Sequence, residues 1–336
     1  MFRVYLIDAE IFPLCEDASI EAEVLKGIAE VSLVQTADES RLPDSVLDAD
    51  ALILSHFPRL SAEALKRFPK LRMVVRNGVG FDNVDIEAAR ELGIAVCNVP
   101  DYGTEEVADH TMAMTLTLER NLLPALRDVR EGAWQWRIAV PVRRIRGQRF
   151  GLVGAGRSGT AAALRAKAFG CAVQFFDPYV PSGYEKALGV ERCRELGELL
   201  RTSDVVSLHC PLSDETRGLI GSPELAQMKR GAFLINTARG PVVREKDLLE
   251  ALRKGHLGGA ALDVVEREPA FDRELLELPN CLLTPHIAFY SQQSRVDLRT
   301  SSARVIADAL RSGEAVNVVN QVRLVKGAGS KSYCGV

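Results

Sequence analysis

The chain has no surplus of positive charge, no long apolar run and no paired cysteines, and each absence removes a class of function. In 336 residues, 42 Lys and Arg face 45 Asp and Glu, for a formal net charge of -3. Such a surface lacks the cations that displace counterions from nucleic acid phosphates, so no nucleic acid partner is expected. Nowhere do about eighteen uncharged apolar residues run together, the length a membrane-crossing helix needs. In the opening MFRVYLIDAE, Asp8 and Glu10 break the apolar core that a secretory leader requires. The cysteines (Cys15, Cys97, Cys171, Cys193, Cys210, Cys281, Cys334) are odd in number and include no CxxC pair, which fits free thiols in a reducing, cytoplasmic compartment. Cys334 stands third from the end, out of place for a prenylation box. No grouping of His, Cys and acids has metal-ligand spacing, so neither a metal nor a membrane partner is expected.

With 47% hydrophobic residues the chain can bury a large core, and its length exceeds the size at which one core usually splits in two. Short β-rich apolar runs alternate with amphipathic stretches, the pattern of an α/β fold with parallel sheets and crossover helices. The first strands read Val4–Ile7, Val31–Gln35, Ala51–Leu54, Met73–Arg76 and Ala95–Asn98, with helices such as Ala62–Phe68 and Ile86–Leu92 between them. Thr104 then offers N-cap chemistry, Glu105 and Glu106 suit a positive helix end, and Val107–Leu118 is apolar on most faces. A helix with so little polar surface reads as one that joins domains or subunits. The alternation restarts with Gln148–Val153, Ala172–Phe176, Val205–His209, Ala232–Asn236, Ala260–Val264 and Leu282–Thr284, which calls for a second parallel sheet. A last helix over Gln293–Leu310 has no strand after it, so its expected place is back on the first domain.

Gly154-Ala155-Gly156-Arg157-Ser158-Gly159 directly follows a strand and opens an Ala-rich stretch, the context in which GxGxxG carries meaning. The first glycine makes a tight turn, the second lets backbone approach a pyrophosphate, and the third allows helix and strand to pack closely. Backbone N–H groups and the positive helix end then hold phosphates. Asp177 ends the next strand, eighteen residues after Gly159, where an acid accepts hydrogen bonds from ribose hydroxyls. A 2′-phosphate there would meet a carboxylate with no cation in the adjacent Pro178 and Tyr179, which favours NAD over NADP. The bland alternative is a structural glycine turn with Asp177 as a solvated turn acid.

Three later stretches each place polar groups at the end of a strand, where open α/β sheets put their ligands. They are Asn236-Thr-Ala-Arg239-Gly240, Asp263-Val-Val-Glu-Arg-Glu268-Pro269 and Thr284-Pro-His286-Ile-Ala-Phe289. Singly, Arg239 reads equally as a helix-terminal ion pair, Glu268 as a turn acid and His286 as a satisfied corner imidazole. Together they match a chemistry: reducing a 2-oxo acid needs a proton donor beside the carbonyl, a cation for the carboxylate, and a hydride donor held against the carbon. A carboxylate neighbour favours the proton-donating form of an imidazole, and Glu268 is the candidate. No helix or strand period links Glu268 to His286.

With these motifs in place, the chain resembles the D-isomer-specific 2-hydroxyacid dehydrogenases over roughly residues 50–315. The resemblance rests on Arg76-Asn-Gly-Val-Gly80-Phe-Asp-Asn-Val-Asp85, the glycine fingerprint, NTARG, ALDVVEREP and TPHIAFY. Stretches such as FDNVDIEAARELGIAVCNVP and FFDPY resemble the C-terminal-binding-protein and phosphoglycerate-dehydrogenase-like branches. The resemblance implies that Arg239 binds and polarises the substrate, that Glu268 orients His286, and that His286 exchanges the proton. It further implies that Arg76 with the Gly78 and Val79 backbone holds the substrate carboxylate and that Asp263 meets the nicotinamide carboxamide. Thr237 and Ala238 would lie near its ribose. His209, Cys210, Pro211 and Thr216 would belong to a cofactor-covering loop, His209 through its backbone. The implied architecture is a substrate domain of residues 1–100 and 288–320, flavodoxin-like, with a Rossmann domain over 101–287 inserted. The remaining 321–336, rich in Gly and Ser, reads as a mobile tail. Homodimers built on the helix near Thr104 are implied as well.

One departure stands out: C-terminal-binding proteins carry Trp after the His stretch, where this chain has Phe289. A non-enzymatic alternative is an NAD-sensing binding module that assembles partners, as a co-repressor does; it needs the glycine turn and Asp177 but not Arg239, Glu268 and His286. An L-specific lactate dehydrogenase would begin with the dinucleotide fold, whereas 153 residues precede Gly154 here. His110, mid-helix, and His256, after Gly255, read as structural; His56 reads equally as a cleft or loop residue. Trp134 and Trp136, followed by Arg137, read as a clasp at a domain or subunit contact.

Overall fold

A computed structural model describes residues 1–324 apart from Phe12 and Val140. The chain forms two compact units, one of Met1–Tyr102 with the segment from Ser291 onward, the other of Gly103–Tyr290. Among the described residues no helix is long and apolar enough to cross a membrane.

The first unit holds five parallel strands, β1 (Phe2–Asp8), β2 (Ala29–Gln35), β3 (Ala51–Leu54), β4 (Met73–Arg76) and β5 (Ala95–Cys97), in the order β2-β1-β3-β4-β5. This is the flavodoxin-like doubly wound order. β3 and β4 are buried along their whole length because both sheet faces are covered, which is why β3 is an unbroken apolar run and β4 is apolar up to the buried Arg76 at its end. Side chains alternate between two cores. Leu6, Ile53 and Val75 pack with Leu298 and Ile306 of the Gln292–Ser312 helix, and Ile7, Leu52 and Val74 pack with Leu65 and Ala89 of the helices on the opposite face. The Gln292–Ser312 helix therefore belongs to this unit despite the 188 residues of Gly103–Tyr290 that precede its return. A buried ion pair fastens it: Arg299 donates to both carboxylate oxygens of Glu21 at 2.7 and 2.6 Å. Beyond it, Asn320 accepts from Val96 N and donates to Ile94 O, pinning the chain beside β5. Val322 and Leu324, at the start of the 321–336 stretch expected to be mobile, pack on the core. The rest of that tail, 325–336, lies outside the described residues.

The second unit holds β6 (Arg149–Val153), β7 (Ala172–Phe176), β8 (Glu191–Arg192), β9 (Val205–Leu208), β10 (Phe233–Asn236), β11 (Gly259–Leu262) and β12 (Cys281–Leu283), all parallel, in the order β12-β11-β10-β9-β6-β7-β8. Six of these reproduce the Rossmann order and β12 extends it. The order reverses between β6 and β9, so their loops flank the crevice where such sheets bind ligands. β8 has no counterpart in the sequence reading because it is two polar residues at an edge.

The Thr104–Glu119 helix lies on this sheet against the Arg157–Ala168 helix, with Ala108, Met112 and Met114 buried in the shared core. Burial on several sides explains its apolar faces. The N-cap assigned to Thr104 is corrected: Gly103 is the cap, without a side-chain bond, and Thr104 is the first helical residue. A side chain at 103 would come within 3.2 Å of Phe289 O, a tight fit against that backbone.

Candidate active site

The three glycines after β6 make room for different things. Gly154 has φ +97°, and a Cβ there would lie 2.8 Å from the Cys210 amide. A Cβ on Gly159 would lie 2.2 Å from Gly154 O. Both positions are thus closed to any side chain by the chain's own packing. Gly156 differs: nothing stands within 4 Å, and it begins the twelve-residue Arg157–Ala168 helix with no side-chain cap. The first-turn amides, including those of Arg157 and Ser158, thus have no side-chain cap, and an uncapped helix start is suited to a pyrophosphate.

Asp177 leaves β7 beside this turn. Its Oδ2 accepts from Ala155 N at 2.8 Å and its Oδ1 from Tyr179 N at 2.9 Å. The carboxylate thus braces the glycine turn. One expectation needs amendment: a cation does approach, from β8, where Arg192 donates to the carbonyls of Asp177, Val180 and Pro181 and pairs with Glu185. Strand pairing, invisible to adjacent-residue reading, brings it there. These partners occupy four of its five N–H donors.

After β9, burial lowers the pKa of the His209 imidazole to about 4 and keeps it neutral. Its Nε2 meets Ser207 Oγ at 2.9 Å, and its Nδ1 is buried without a partner among the described residues. Burial also pushes the Cys210 thiol up to about 11, so this cysteine is no nucleophile. Thr216 donates to Pro211 O at 2.6 Å and accepts from Ser213 N, which closes the loop on itself. After β10, Asn236 bridges its own turn by accepting from Ala238 N and donating to Arg239 O, and Arg239 Nη1 donates to Ala238 O at 2.7 Å. Gly240 then presses on the next loop so tightly that a Cβ would overlap Val265 O.

That next loop carries Glu268, whose Oε2 meets His286 Nδ1 at 2.7 Å; the two side chains are 20% and 24% exposed. Two groups eighteen residues apart, with no periodic relation, are brought together by the ends of β11 and β12. The carboxylate fixes the ring's orientation, and proton exchange would run through Nε2 on the opposite side. His286 has φ +54°, and its amide donates to Asp263 O at 2.8 Å. The Asp263 carboxylate, nearly inaccessible, accepts from Thr284 Oγ1, Ile287 N and Ala288 N. The Phe289 ring stands edge-on to His286, centroids 6.2 Å apart.

Arg76, Gly78 and Val79 lie in the first unit, where β4 ends. Arg76 folds back to donate to Asn77 O at 2.8 Å and meets His56 Nδ1 at 3.2 Å, so His56 is part of this edge. A Cβ on Gly78 would collide with the guanidinium at 1.5 Å. Much of the stretch through Asp85 is scaffold: Asn83 donates to the carbonyls of Ser55, His56 and Pro58, and Asp85 caps a helix through Ala88 N.

Two residues escaped the sequence reading. His110, taken as structural, meets Thr284 Oγ1 at 3.0 Å, and Thr111 meets Thr237 Oγ1 at 3.0 Å. The only signal was a polar pair inside an apolar helix. Trp134 and Trp136 stand exposed on the single chain, with Arg137 over the Trp136 ring.

Residues 112–288 match the family description "D-isomer specific 2-hydroxyacid dehydrogenase, NAD binding domain". Over 304 residues, 88% of this chain, the sequence is 41% identical to C-terminal-binding protein 1 of Caenorhabditis elegans, covering 42% of that protein. Over 308 residues, 92% of this chain, it is 37% identical to D-3-phosphoglycerate dehydrogenase of Methanocaldococcus jannaschii, covering 58% of it. The chain thus spans about half the length of these curated relatives. The structure resembles D-lactate dehydrogenase of Aquifex aeolicus complexed with NAD and lactic acid, with TM-score 0.84 and 31% identity over 92% of this chain and 96% of that one.

Proposed function

The chain belongs to the D-isomer specific 2-hydroxyacid dehydrogenase family, and from that premise we propose that it reduces a small 2-oxo acid to the D-2-hydroxy acid with NAD as cofactor. The observation that carries this reading is the 2.7 Å His286–Glu268 pair, standing on the same sheet edge as the uncapped glycine turn. Gly154 to Gly159 would hold the pyrophosphate and Asp177 the adenosine ribose. His209, Cys210, Pro211 and Thr216 would cover the cofactor, and Thr237 and Ala238 would border the second ribose. Three of the roughly four lone pairs of the Asp263 carboxylate are taken, which leaves one on Oδ2 for the carboxamide.

When bound, the dinucleotide supplies hydride transfer to the substrate carbon. The Arg239 guanidinium takes the substrate carboxylate in its fork and polarises the carbonyl. His286 gives its Nε2 proton to the carbonyl oxygen as it becomes a hydroxyl, and Glu268 holds the ring in line for that transfer. The Arg76–Gly80 loop is assigned to the substrate carboxylate. The same reading includes a homodimer, for which exposed Leu122, Leu126 and Val129 offer an apolar face, and a reducing, cytoplasmic setting for the thiols.

NADH oxidation measured against glyoxylate, hydroxypyruvate, pyruvate and larger branched or phosphorylated 2-oxo acids should reveal turnover; inertness toward the whole panel would sink the enzyme reading. His286→Ala should keep NAD binding and lower turnover by roughly 10²–10⁴-fold, the range for losing a general acid. Weakened NAD binding with normal turnover would contradict that role. The 41% identity to a C-terminal-binding protein favours a second reading, an NAD-sensing binding module. Such a module has no need of the His286–Glu268 pair, whose presence favours the enzyme.

A further inference from the structure

We propose that His110 is a positioning residue for the reaction, acting through Thr284 and Asp263 on the backbone turn from which His286 projects. The inference deepens the enzyme reading above and rests on it. His286 sits in the left-handed region at φ +54°, a conformation that a residue with a side chain keeps only when its surroundings hold it. The holder is the Asp263 carboxylate, which accepts from the two amides that follow, Ile287 N at 2.9 Å and Ala288 N at 2.8 Å. Asp263 is fixed in turn by Thr284, whose hydroxyl lies 2.5 Å from its Oδ1.

The direction of these bonds is set by elimination. A carboxylate that accepts two amides acts as an acceptor, so the single hydroxyl hydrogen of Thr284 goes to Asp263. Toward His110 Nε2, 3.0 Å away, the Thr284 oxygen can then only accept. His110 must therefore carry its proton on Nε2, a proton that also faces Asp263 Oδ1 at 3.6 Å. The result is a one-way chain of donors, His110 to Thr284 to Asp263, ending on the carboxylate that shapes the His286 turn. The adjoining Thr111 ties the same helix to the end of β10: its hydroxyl donates to Val107 O at 2.8 Å, so Thr237 donates to it at 3.0 Å. The Thr104–Glu119 helix thus grips the ends of two strands that carry the reaction's residues.

The test is a mutant cycle on the full chain with the best substrate of the panel. His110→Leu and Thr284→Val should each lower kcat by about 10- to 100-fold, the cost of a small misplacement of a reacting group, while NAD affinity stays near normal. His110→Gln and Thr284→Ser, which restore a donor of similar reach and a hydroxyl, should recover most of the loss. Because the two residues act in series, the double variant should be no worse than Thr284→Val alone. Multiplicative losses, or no rescue by Gln, would overturn the chain. An unchanged kcat in His110→Leu would do the same.

A readout independent of turnover separates this proposal from the enzyme reading. Ring-nitrogen spectra of histidine-labelled protein should show His110 protonated on Nε2, with His286 signals displaced in His110→Leu. An Nδ1-protonated neutral His110 would end the proposal whether or not a substrate is found.

Discussion

The two sheets share an architecture and differ at the edge where their strands end. In the first unit, helices starting at Ala62, Ile86 and Gln292 are each capped by a side chain, Ser61, Asp85 and Ser291 respectively. The loops beside them are tied down by Asn83 and by Arg76. In the second unit, the Arg157–Ala168 helix starts at Gly156 with no cap, and the strand ends present a carboxylate–imidazole pair. Capping spends first-turn amides on the protein itself; omitting the cap leaves them for an anion. The three helix starts named in the first unit are therefore closed by their own caps, whereas the second unit leaves one start open to a ligand, although strand order and burial are of the same kind in both.

Breaking the closed side should cost the most. Glu21 is 0% exposed and Arg299 5%, so Glu21→Gln leaves a buried guanidinium with only the exposed Asp17 carboxylate, 3.6 Å away, as counter-charge. We expect a loss of about 3–5 kcal/mol in the stability of the first unit, measured by denaturant unfolding, with NAD affinity unchanged. A loss below about 1 kcal/mol would mean that the pair behaves as a surface bridge and that the returning helix is held by its apolar face alone. Sharpening the open side comes next. Gly156→Asp would give the second unit's helix the kind of cap that Asp85 supplies in the first. The site has space for a side chain, and φ −71°, ψ −159° suits any residue. The new carboxylate would occupy the amides and repel a pyrophosphate, so NAD affinity should fall by about 10- to 100-fold while thermal stability holds or rises. Unaltered affinity in that variant would remove the helix start from the binding site.

The sequence made some of this legible and hid the rest for physical reasons. Ala51–Leu54, Met73–Arg76 and Ala172–Phe176 were readable to the residue because strands covered on both faces are dominated by apolar residues, with Arg76 and Gln174 the polar exceptions. The glycine turn was readable because its six positions constrain one another locally. Edges and partners were harder. β8 is two polar residues held by one neighbour, and the cap at Gly103 lies against Phe289, far along the chain. His110 looked like an ordinary helix residue because its partner Thr284 is 174 positions away. Glu268 and His286 could be named by chemistry but not joined, since only the lengths of the loops after β11 and β12 bring them to 2.7 Å.

The smallest expected effect tests whether the first unit's caps serve the fold alone. Asp85 closes the stretch that starts at Arg76, and its Oδ1 accepts from Ala88 N at 3.0 Å, a structural use for the last residue of that motif. Asp85→Ala removes one cap from a six-residue helix, which should cost about 1 kcal/mol, or roughly 2–4 °C in melting temperature for a unit of this size. KM for the 2-oxo acid should stay where it is. A large rise in KM with stability intact would instead show that the acid end of this stretch takes part in recognition, and the contrast between a closed edge and an open one would have to be redrawn at that residue.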